Sequence, residues 1–515
     1  MTVTIGRREL LAALGGTAVA WPLAARAQQP SGPTKDFVAD FGAAPAPADS
    51  APALQSWLTF ARANSGSTLT VPVGYFLINS NPGNEIGWAG FTNKCKNATI
   101  QGSTTGVTKF NRFYMGTYSN LQYTYDTAGR IETAAAGSNT ITLVNSGDAS
   151  KFSVGNWVLV CGLGLMRADS YPLSFQYYEY RKITTESGNR LTLDAPLAYD
   201  YKSTWPLVRS GDLHPTIDYG GPAMIYRVTH SEFFDNTSII RNITVDPSNN
   251  GDPGVFQGCQ RNYVVDGCTF IGTGNYTTFS PSNCASCRVL NTKWSGGVGE
   301  VDKLVSYLEI DHCETANTTL LFQSASVDRC VIKNAVGKFI NGGTPRIHEI
   351  SNCNIQLFGG PSFFGNTESL TLENSTVEPA INKRCVERVD YEWTGSGVFR
   401  TPWTSSHITT AFQYAMPGFR WAIGNYQGAQ PPGYIYPLPG IYPDDGSPPF
   451  SFRILDVYGD ASYFYVKTDL TAPPPDTKTY SGEKWSKFHL YACKTLTLTG
   501  ISSAADLSYF AEPIA

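Results

Sequence analysis

A short pattern repeats through the middle of this 515-residue chain. Each copy alternates apolar and polar residues and is interrupted by two consecutive polar residues, as in residues 240–245, IRNITV. Further copies begin at Val265, Val289, Ile310, Val327, Ile350 and Leu372. Successive copies lie roughly 17 to 25 residues apart, a period typical of solenoids. Because alternation with a period of two is typical of strands, each copy is predicted to form two short strands joined by a tight bend.

Stacking of these copies, one per coil of the solenoid, predicts continuous columns of side chains. Inward columns are expected to run through the first, fourth and sixth residues of each copy, so that the copy at Val327 contributes Val327, Cys330 and Ile332. The bend position carries Asn242, Asn291, Asn352 and Asn374, with His312 and Arg329 at the same point of two other copies. Asn tolerates a left-handed backbone and can bond to its neighbours, which predicts an asparagine ladder.

The Val-x-x-Cys-x-Ile pattern of the copies resembles the pectate-lyase-like superfamily of right-handed parallel β-helices. The resemblance implies an all-β solenoid. The beginning of the chain is similar to the cap of that superfamily, with residues 40–43, an amphipathic stretch at 53–63 and a first strand region at 69–78. Residues 44–49 depart from the usual Gly-Asp-rich stretch of the superfamily.

The sequence divides into five predicted parts. Residues 1–27 resemble a twin-arginine signal, because Arg7 and Arg8 precede an apolar run and a small-x-small cleavage site, although an ordinary secretory signal would also fit. Residues 36–128 form the cap and first coils, 129–200 a small insertion of β-hairpins, 201–382 the main coils and 383–515 a β-rich C-terminal module. We expect a periplasmic or secreted protein without a membrane span.

Composition excludes several classes of function. Charged residues make up 16% of the chain and the net charge is −4, which disfavours nucleic-acid binding. The 11 cysteines lack paired zinc-ligand spacing, and no nucleotide or haem motif is present, so no metal or cofactor is expected. We predict buried thiols, since a protein folded before export can keep them.

Two carboxylates are the candidate catalytic residues. The superfamily resemblance places substrate along the strand that precedes each repeat copy, and one of these strands contains Glu300 and Asp302. Residues two apart in a strand share a face and lie about 6.5 to 7 Å apart. A carboxylate pair can divide the work of general acid and base or nucleophile. A solvated face with no catalytic role would show the same residues.

Neighbouring strands supply candidate substrate-binding residues. They are Asp252, Tyr276, Lys303, Gln323, Lys338, Asn341, Arg227 and His230. Arg227 and His230 are expected on a coil that precedes the repeat. A second, outward polar patch is interpreted as ion pairs between coils; it gathers Glu309, His312, Glu314 and Arg329, with Arg288 and Glu349 beside it.

Three functions fit these residues. The first is a glycoside hydrolase that cleaves a polysaccharide with Glu300 and Asp302. The second is a polysaccharide lyase, whose base would be Lys338, Lys303, Arg227 or His230. The third is a non-catalytic glycan-binding or surface protein. The chain lacks the polygalacturonase pattern and a clear match to the calcium-binding aspartates of pectate lyases. A polysaccharide is the expected partner, and the sequence leaves open whether the chain forms a homo-oligomer.

Overall fold

The computed structural model describes most of the coils and parts of both additional modules. The described residues are 32–79, 97–111, 125–167, 172–204, 207–208, 217–220, 222–228, 234–246, 261–271, 277–279, 283–295, 298–300, 304–322, 327–341, 347–358, 369–379, 386–388, 392–402, 420–423, 450–460, 462–472, 487–489 and 495–499. The predicted signal, residues 1–27, lies outside them.

The first sheet is entirely parallel and has 11 strands. In spatial order they are β1 (Thr34–Asp36), β2 (Thr68–Val71), β4 (Thr99–Gly102), β14 (Thr237–Arg241), β16 (Asn262–Asp266), β19 (Ser286–Leu290), β22 (Val305–Asp311), β24 (Val327–Lys333), β26 (Ile347–Ser351), β28 (Ser369–Glu373) and β37 (Thr495–Thr499). Each strand pairs with the strand of the next coil, so the sheet runs along the whole solenoid.

The second parallel sheet also has 11 strands. They are β3 (Gly74–Phe76), β5 (Thr108–Phe110), β15 (Ile243–Val245), β17 (Thr269–Phe270), β18 (Thr277–Phe279), β20 (Lys293–Trp294), β21 (Val298–Glu300), β23 (Glu314–Phe322), β25 (Val336–Asn341), β27 (Asn354–Phe358) and β29 (Thr376–Pro379). Two parallel sheets that advance coil by coil form a parallel β-helix, which confirms the predicted all-β solenoid.

Apolar side chains from the two sheets form one core. Ile240, Val265, Val289 and Ile310 stand in register on β14, β16, β19 and β22, and each is buried. Cys268, Cys313 and Cys353 are buried free thiols in a second column. Small apolar residues fit there because the chain bends sharply just before each of them.

One repeat copy was assigned to the wrong register. Ile310 pairs with Ile332, so Val327 does not belong to the first inward column. In the second inward column, the residue after Cys313 is Ala335 rather than Cys330. Gly337, not Ile332, pairs with Thr315 in the third column. The true copy therefore begins at Ile332, five residues later than predicted. The segment from Val327 fits the repeat pattern because it is the first half of one continuous strand, β24, whose residues alternate as those of a true copy do.

The bend between the two sheets has a left-handed backbone in seven consecutive coils. Its residues, with φ between 47° and 64°, are Asn242, Gly267, Asn291, His312, Asn334, Asn352 and Asn374. The predicted asparagine ladder is confirmed, but Arg329 was wrongly assigned to it and Asn334 occupies that position. In each of the first six bends the backbone N–H donates to a carbonyl of the next coil, as from Asn291 to Asp311 over 2.9 Å.

The helix α1, Ala51–Ala63, covers one end of the solenoid. It buries Leu54, Trp57 and Leu58 against the same core as Leu69 of β2. An open end would expose core and unpaired strand edges, so this helix acts as the cap that the sequence predicts. Among the described residues no helix is long and apolar enough to cross a membrane.

Within the described residues the insertion is an antiparallel sheet of eight strands. They are β6 (Tyr125–Arg130), β7 (Thr140–Thr142), β8 (Trp157–Arg167), β9 (Pro172–Ser187), β10 (Arg190–Leu193), β11 (Leu207–Val208), β12 (Ile217–Gly220) and β13 (Met224–Val228), and a 3-10 helix spans Ser146–Lys151. Because β13 pairs with both β6 and β8, the module extends to Val228. The predicted end at residue 200 was too early.

The described part of the C-terminal module is a sheet of seven strands. They are β30 (Val386–Arg388), β31 (Glu392–Gly395), β32 (Val398–Pro402), β33 (Arg420–Ile423), β34 (Phe450–Gly459), β35 (Tyr463–Thr468) and β36 (Lys487–His489). Its pairings are antiparallel, in agreement with the predicted β-rich character. After it the chain returns to the solenoid, where β37 pairs with β28. The module is therefore inserted between two strands of the β-helix.

Candidate functional site

The strand that carries the candidate catalytic residues lies in the second sheet. Glu300 is the last residue of β21, which pairs with β18 on one side and with the second half of β23 on the other. Its backbone stands in register with Leu321 of β23, and Leu321 with Ile340 of β25. Asp302 and Lys303 follow directly but lie outside the described residues, so the spacing of the carboxylate pair stays a prediction.

Two predicted substrate-binding residues lie on β25, two strands from Glu300. Lys338 pairs with Thr319, which pairs with Val298, and Asn341 pairs with Phe322. From the usual spacing of strands and residues, the Cα atoms of Lys338 and Asn341 lie roughly 12 Å and 10 Å from that of Glu300. The three backbones therefore belong to one local region of the sheet. Asp252, Tyr276, Gln323 and His230 lie outside the described residues.

Arg227 has a different position from the one predicted. It lies on β13 of the insertion rather than on a coil of the solenoid. Its Nη1 donates a hydrogen bond of 2.9 Å to the carbonyl oxygen of Lys151, at the end of the 3-10 helix. The error follows from the boundary of the insertion, because residues after 200 were assigned to the main coils.

The second polar patch consists of ion pairs between coils, as predicted. Glu309 is buried on β22, and its two carboxylate oxygens bind Arg288 Nε at 2.5 Å and Lys333 Nζ at 2.6 Å. Arg329 donates to both oxygens of Glu349, at 2.8 and 3.0 Å. The hydrogen bond from Lys333 to Glu309 raises the pKa of the lysine. These charges bind one another across adjacent strands, and the patch stabilises the outer surface of the first sheet.

A buried cluster that the sequence analysis missed joins the insertion to the solenoid. Glu179 on β9 is 4% exposed and binds Arg181, Tyr201 Oη at 2.9 Å and the backbone N–H of Ala198 at 3.0 Å. Asp328 on β24 is 8% exposed and accepts a hydrogen bond from Tyr199. Alternation along β9 indicates a buried face at Tyr178 and Tyr180, which would leave Glu179 and Arg181 in solvent. In the folded protein both faces of β9 are buried, which the alternation of the sequence does not show.

This cluster is an anchor rather than a catalytic pair. Burial raises the pKa of Glu179 above its ordinary value of 4.5, and the charge of Arg181 offsets only part of that effect. Such a pKa is typical of a general acid. However, Glu179 already accepts hydrogen bonds from three groups of the insertion, so its oxygens are occupied by the protein itself. Its contacts stabilise the packing of the module.

The described residues contain no group of three or more side chains arranged to hold a metal ion.

Comparison with known proteins gives distant structural similarities. No protein-family profile matches the sequence, and no curated protein matches it. The gp54 tailspike of Acinetobacter baumannii bacteriophage AP22, solved in complex with A. baumannii capsular saccharide, is 10% identical, over 86% of this chain and 94% of that one, with a TM-score of 0.24. The Pseudomonas phage phi297 tailspike gp61 is 12% identical, over 66% of this chain and 69% of that one, with a TM-score of 0.22.

A third similar structure is gp49 from Pseudomonas phage LKA1, 12% identical over 68% of this chain and 81% of that one, with a TM-score of 0.20. All three are phage tailspikes. Similarities at these TM-scores carry no argument about activity. The assignment of this chain as a parallel β-helix rests on its own two sheets.

Proposed function

We propose that the protein is a glycoside hydrolase that cleaves a polysaccharide, with Glu300 and Asp302 as the carboxylate pair. The observation that carries the proposal is the continuous parallel region β18, β21, β23, β25 and β27, with Glu300 on its second strand. A surface that extends over five coils offers a polymer several successive binding positions. A small metabolite would need only one pocket.

The proposed chemistry follows from the spacing of two residues along one strand. With backbones about 6.5 to 7 Å apart, the two carboxyl groups can reach either the separation of about 5 Å of retaining glycosidases or the roughly 6.5 to 9.5 Å of inverting ones. In the inverting arrangement a water molecule fits between base and sugar. One carboxylic acid donates its proton to the glycosidic oxygen as the bond to the anomeric carbon breaks. The other carboxylate takes a proton from the attacking water. Lys338, which shares a face of the sheet with Glu300 by register and alternation, would bind hydroxyl or carboxylate groups of a neighbouring sugar, whereas Asn341 falls on the opposite face of β25.

Lyase chemistry is the second candidate, and the position of Lys338 favours it. Its backbone lies two strands from Glu300 in the same sheet. A lysine can act as the base that removes the proton beside a uronate carboxylate, which leads to β-elimination. The product would be an unsaturated sugar that absorbs near the ultraviolet edge.

Export through the twin-arginine route to the periplasm or beyond is part of both proposals.

A polysaccharide screen separates these functions. Purified protein is incubated with bacterial and plant polysaccharides, and both new reducing ends and ultraviolet absorbance are measured. The hydrolase predicts reducing ends without absorbance, and a loss of about 10²-fold or more in Glu300→Gln and in Asp302→Asn. The matched control is Glu314→Gln, since Glu314 lies on β23, is exposed and pairs with Lys293 on the outer surface. It should retain full activity.

Two results would contradict the hydrolase. Absorbance that disappears in Lys338→Met would assign the lyase. Binding of a polysaccharide without any product would assign a non-catalytic glycan-binding protein, in which the carboxylate variants bind as well as the wild type.

A further inference from the structure

One face of the C-terminal module is rich in tyrosine. Residues of β32, β34 and β35 alternate, so that Phe399, Val457, Phe464 and Val466 are buried on one side. The opposite side carries Arg400, Tyr458, Tyr463 and Tyr465, and we call these four residues the tyrosine face. Tyr458 stands directly opposite Tyr465 in the register of β34 and β35, and Arg400 stands opposite Tyr465 on the other side.

Two of these rings stack and remain accessible. The rings of Tyr458 and Tyr465 are nearly parallel, with an interplanar angle of 7° and centroids 4.9 Å apart. Tyr458 is 38% exposed, which is high for a large aromatic side chain on a sheet. An exposed aromatic pair contributes little to folding beyond its own stacking, and contiguous exposed apolar surface often marks a binding site.

Hydrogen bonds and charges hold the rings in place. Tyr465 Oη donates to Asp460 Oδ2 at 2.6 Å, and Asp460 Oδ1 accepts from the backbone N–H groups of Ser462 and Tyr463 at 2.7 and 2.8 Å. Arg400 lies over the Tyr463 ring, 4.3 Å from its centroid, and donates to Glu392 at 2.8 Å. Side chains that are already fixed lose little entropy when a ligand binds.

The chemistry of the tyrosine face fits a sugar. A pyranose ring presents C–H groups on its faces, which pack on aromatic rings, and hydroxyl groups at its edge, which bond to carboxylates, guanidinium and phenol groups. The tyrosine face offers both kinds of contact side by side. Rigid tyrosines give a large contact area with an apolar body and a polar tip.

The charges around this surface indicate an uncharged ligand. Arg400 is paired with Glu392, and Lys202 of the insertion is paired with Asp456 beside Tyr458, at 3.2 Å. These two cations are already neutralised by carboxylates. Lys467, on the same side of β35, stands opposite Asp456 in the register, and Asp460 adds a further negative charge. A sulfated or uronate-rich chain would gain little there, because binding it would break an existing ion pair.

We propose that the tyrosine face is a non-catalytic binding site for an uncharged stretch of polysaccharide. The contact between Lys202 and Asp456 links this surface to the insertion. The insertion in turn packs on the solenoid through Tyr178 and Tyr180. Their hydroxyls donate to the carbonyls of Val305 and Leu304 at 2.7 and 3.2 Å. The site would keep a polymer attached to the protein while other segments of it reach the β-helix. The proposal does not require that Glu300 is catalytic.

Affinity electrophoresis of the full chain tests the proposal. Native gels contain a soluble β-glucan, a galactomannan or a xylan as neutral probes, or polygalacturonate as an anionic probe. The wild type should be retarded by at least one neutral polymer. Tyr458→Ala and Tyr465→Ala should bind it at least about tenfold more weakly, since each removes one ring of the stack. Tyr458→Phe keeps the ring and should retain binding.

A control variant separates binding from folding. Leu455→Ala changes a side chain on the same strand that is 47% exposed and should bind like the wild type. Each variant should show the same near-ultraviolet circular dichroism as the wild type, apart from the lost tyrosine contribution. Glu300→Gln should also bind normally, so failure of the hydrolase and failure of this site are distinguishable.

Three outcomes would overturn the proposal. One is the absence of retardation of the wild type by every neutral polymer. Another is unchanged binding in both tyrosine-to-alanine variants. The third is that Tyr458→Ala changes the oligomeric state, measured by light scattering, while glycan binding stays intact. That result would assign the surface to contact with a second copy of the chain.

Discussion

Single residues with a left-handed backbone set the shape of each coil. Asn is common there because its short polar side chain tolerates positive φ and bonds nearby. The Nδ2 atoms of Asn291 and Asn334 donate to Asp266 and Asp311 respectively, each at 2.8 Å. The ladder therefore links asparagine to aspartate across the coils at these two bends. It adds side-chain bonds to the backbone bonds that the bend already makes.

Gly337 occupies a position in the coils where a side chain is poorly tolerated. Its φ is +130°, and a Cβ atom there would overlap the hydroxyl and carbonyl oxygens of Thr315 on the adjacent coil. We expect Gly337→Ala to lower the free energy of unfolding by about 2 to 4 kcal/mol, from backbone strain and overpacking together. Urea denaturation followed by tryptophan fluorescence measures the change.

The control for that substitution is Gly147→Ala, since a Cβ atom on Gly147 meets nothing within 4 Å. Equal stability of both variants would contradict the assigned register of β23 and β25.

The buried carboxyl of Glu179 should give a characteristic pH dependence. Because burial raises its pKa above 4.5 in the folded state, the folded protein binds the proton more tightly than the unfolded chain does. The stability that this carboxyl contributes is therefore fully present below pH 4.5 and is lost as the pH rises through the folded pKa. Glu179→Gln cannot titrate at this position.

The measurement is the difference in unfolding free energy between wild type and Glu179→Gln across pH 4 to 8. We expect the wild type to lose stability relative to the variant as the pH rises, because titrating groups that do not interact with Glu179 cancel in the difference. A difference that is constant, or that increases with pH, would contradict the buried position of Glu179.

At the scale of elements, the last strand of the β-helix comes from far along the chain. β37 pairs with β28 through five residue pairs, from Ser369 with Thr495 to Glu373 with Thr499. Without it, β28 would present a row of unpaired backbone groups. Exposed edges of parallel sheets pair with other chains, which leads to aggregation.

A chain that ends at residue 494 should therefore form oligomers or aggregates at concentrations where the full chain does not. Multi-angle light scattering during size exclusion measures this directly. The matched control ends at residue 500 and keeps β37, so it should behave like the full chain. If the shorter chain is monodisperse and has the same oligomeric state as the full chain, this role of β37 is ruled out.

At the scale of the whole molecule, the insertion is fastened to the solenoid through a mixed interface. Phe234, Ala285 and Leu304, which precede strands of the first sheet, pack against Trp157, Tyr178 and Tyr226 of the insertion. Two tyrosine hydroxyls also donate to carbonyls of the solenoid. Buried carbonyls without a partner cost about 1 to 3 kcal/mol each.

Removal of both hydroxyls should loosen the insertion without unfolding the solenoid. We expect the double variant Tyr178→Phe and Tyr180→Phe to show faster amide hydrogen exchange in β8 and β9, whereas exchange in β16 and β19 stays unchanged. The control is Tyr458→Phe, which lies on the C-terminal module. Unchanged exchange in β8 and β9 would show that these two hydroxyl bonds do not hold the insertion in place.

The sequence by itself determined the features that depend on local chemistry. Alternation with a period of two predicted the strands, Asn at the bends predicted the left-handed backbone, and the amphipathic stretch at 53–63 predicted the cap helix. For the candidate site, the sequence placed Glu300 and Lys338 on strands of the solenoid, and the second sheet contains both. Each of these signals acts between neighbouring residues, so it can be read without knowing the fold.

Only the tertiary structure decided the pairing of distant segments. The strand from Val327 fits the repeat pattern as well as the true copy at Ile332 does, and the hydrogen bonds to β22 select between them. β13 joins the insertion because it pairs with β6, about a hundred residues earlier in the chain, and this pairing moved Arg227 away from the predicted site. Glu179 and Asp328 are brought into one buried cluster for the same reason. Such contacts depend on which backbones align across long separations, and local propensity does not encode that alignment.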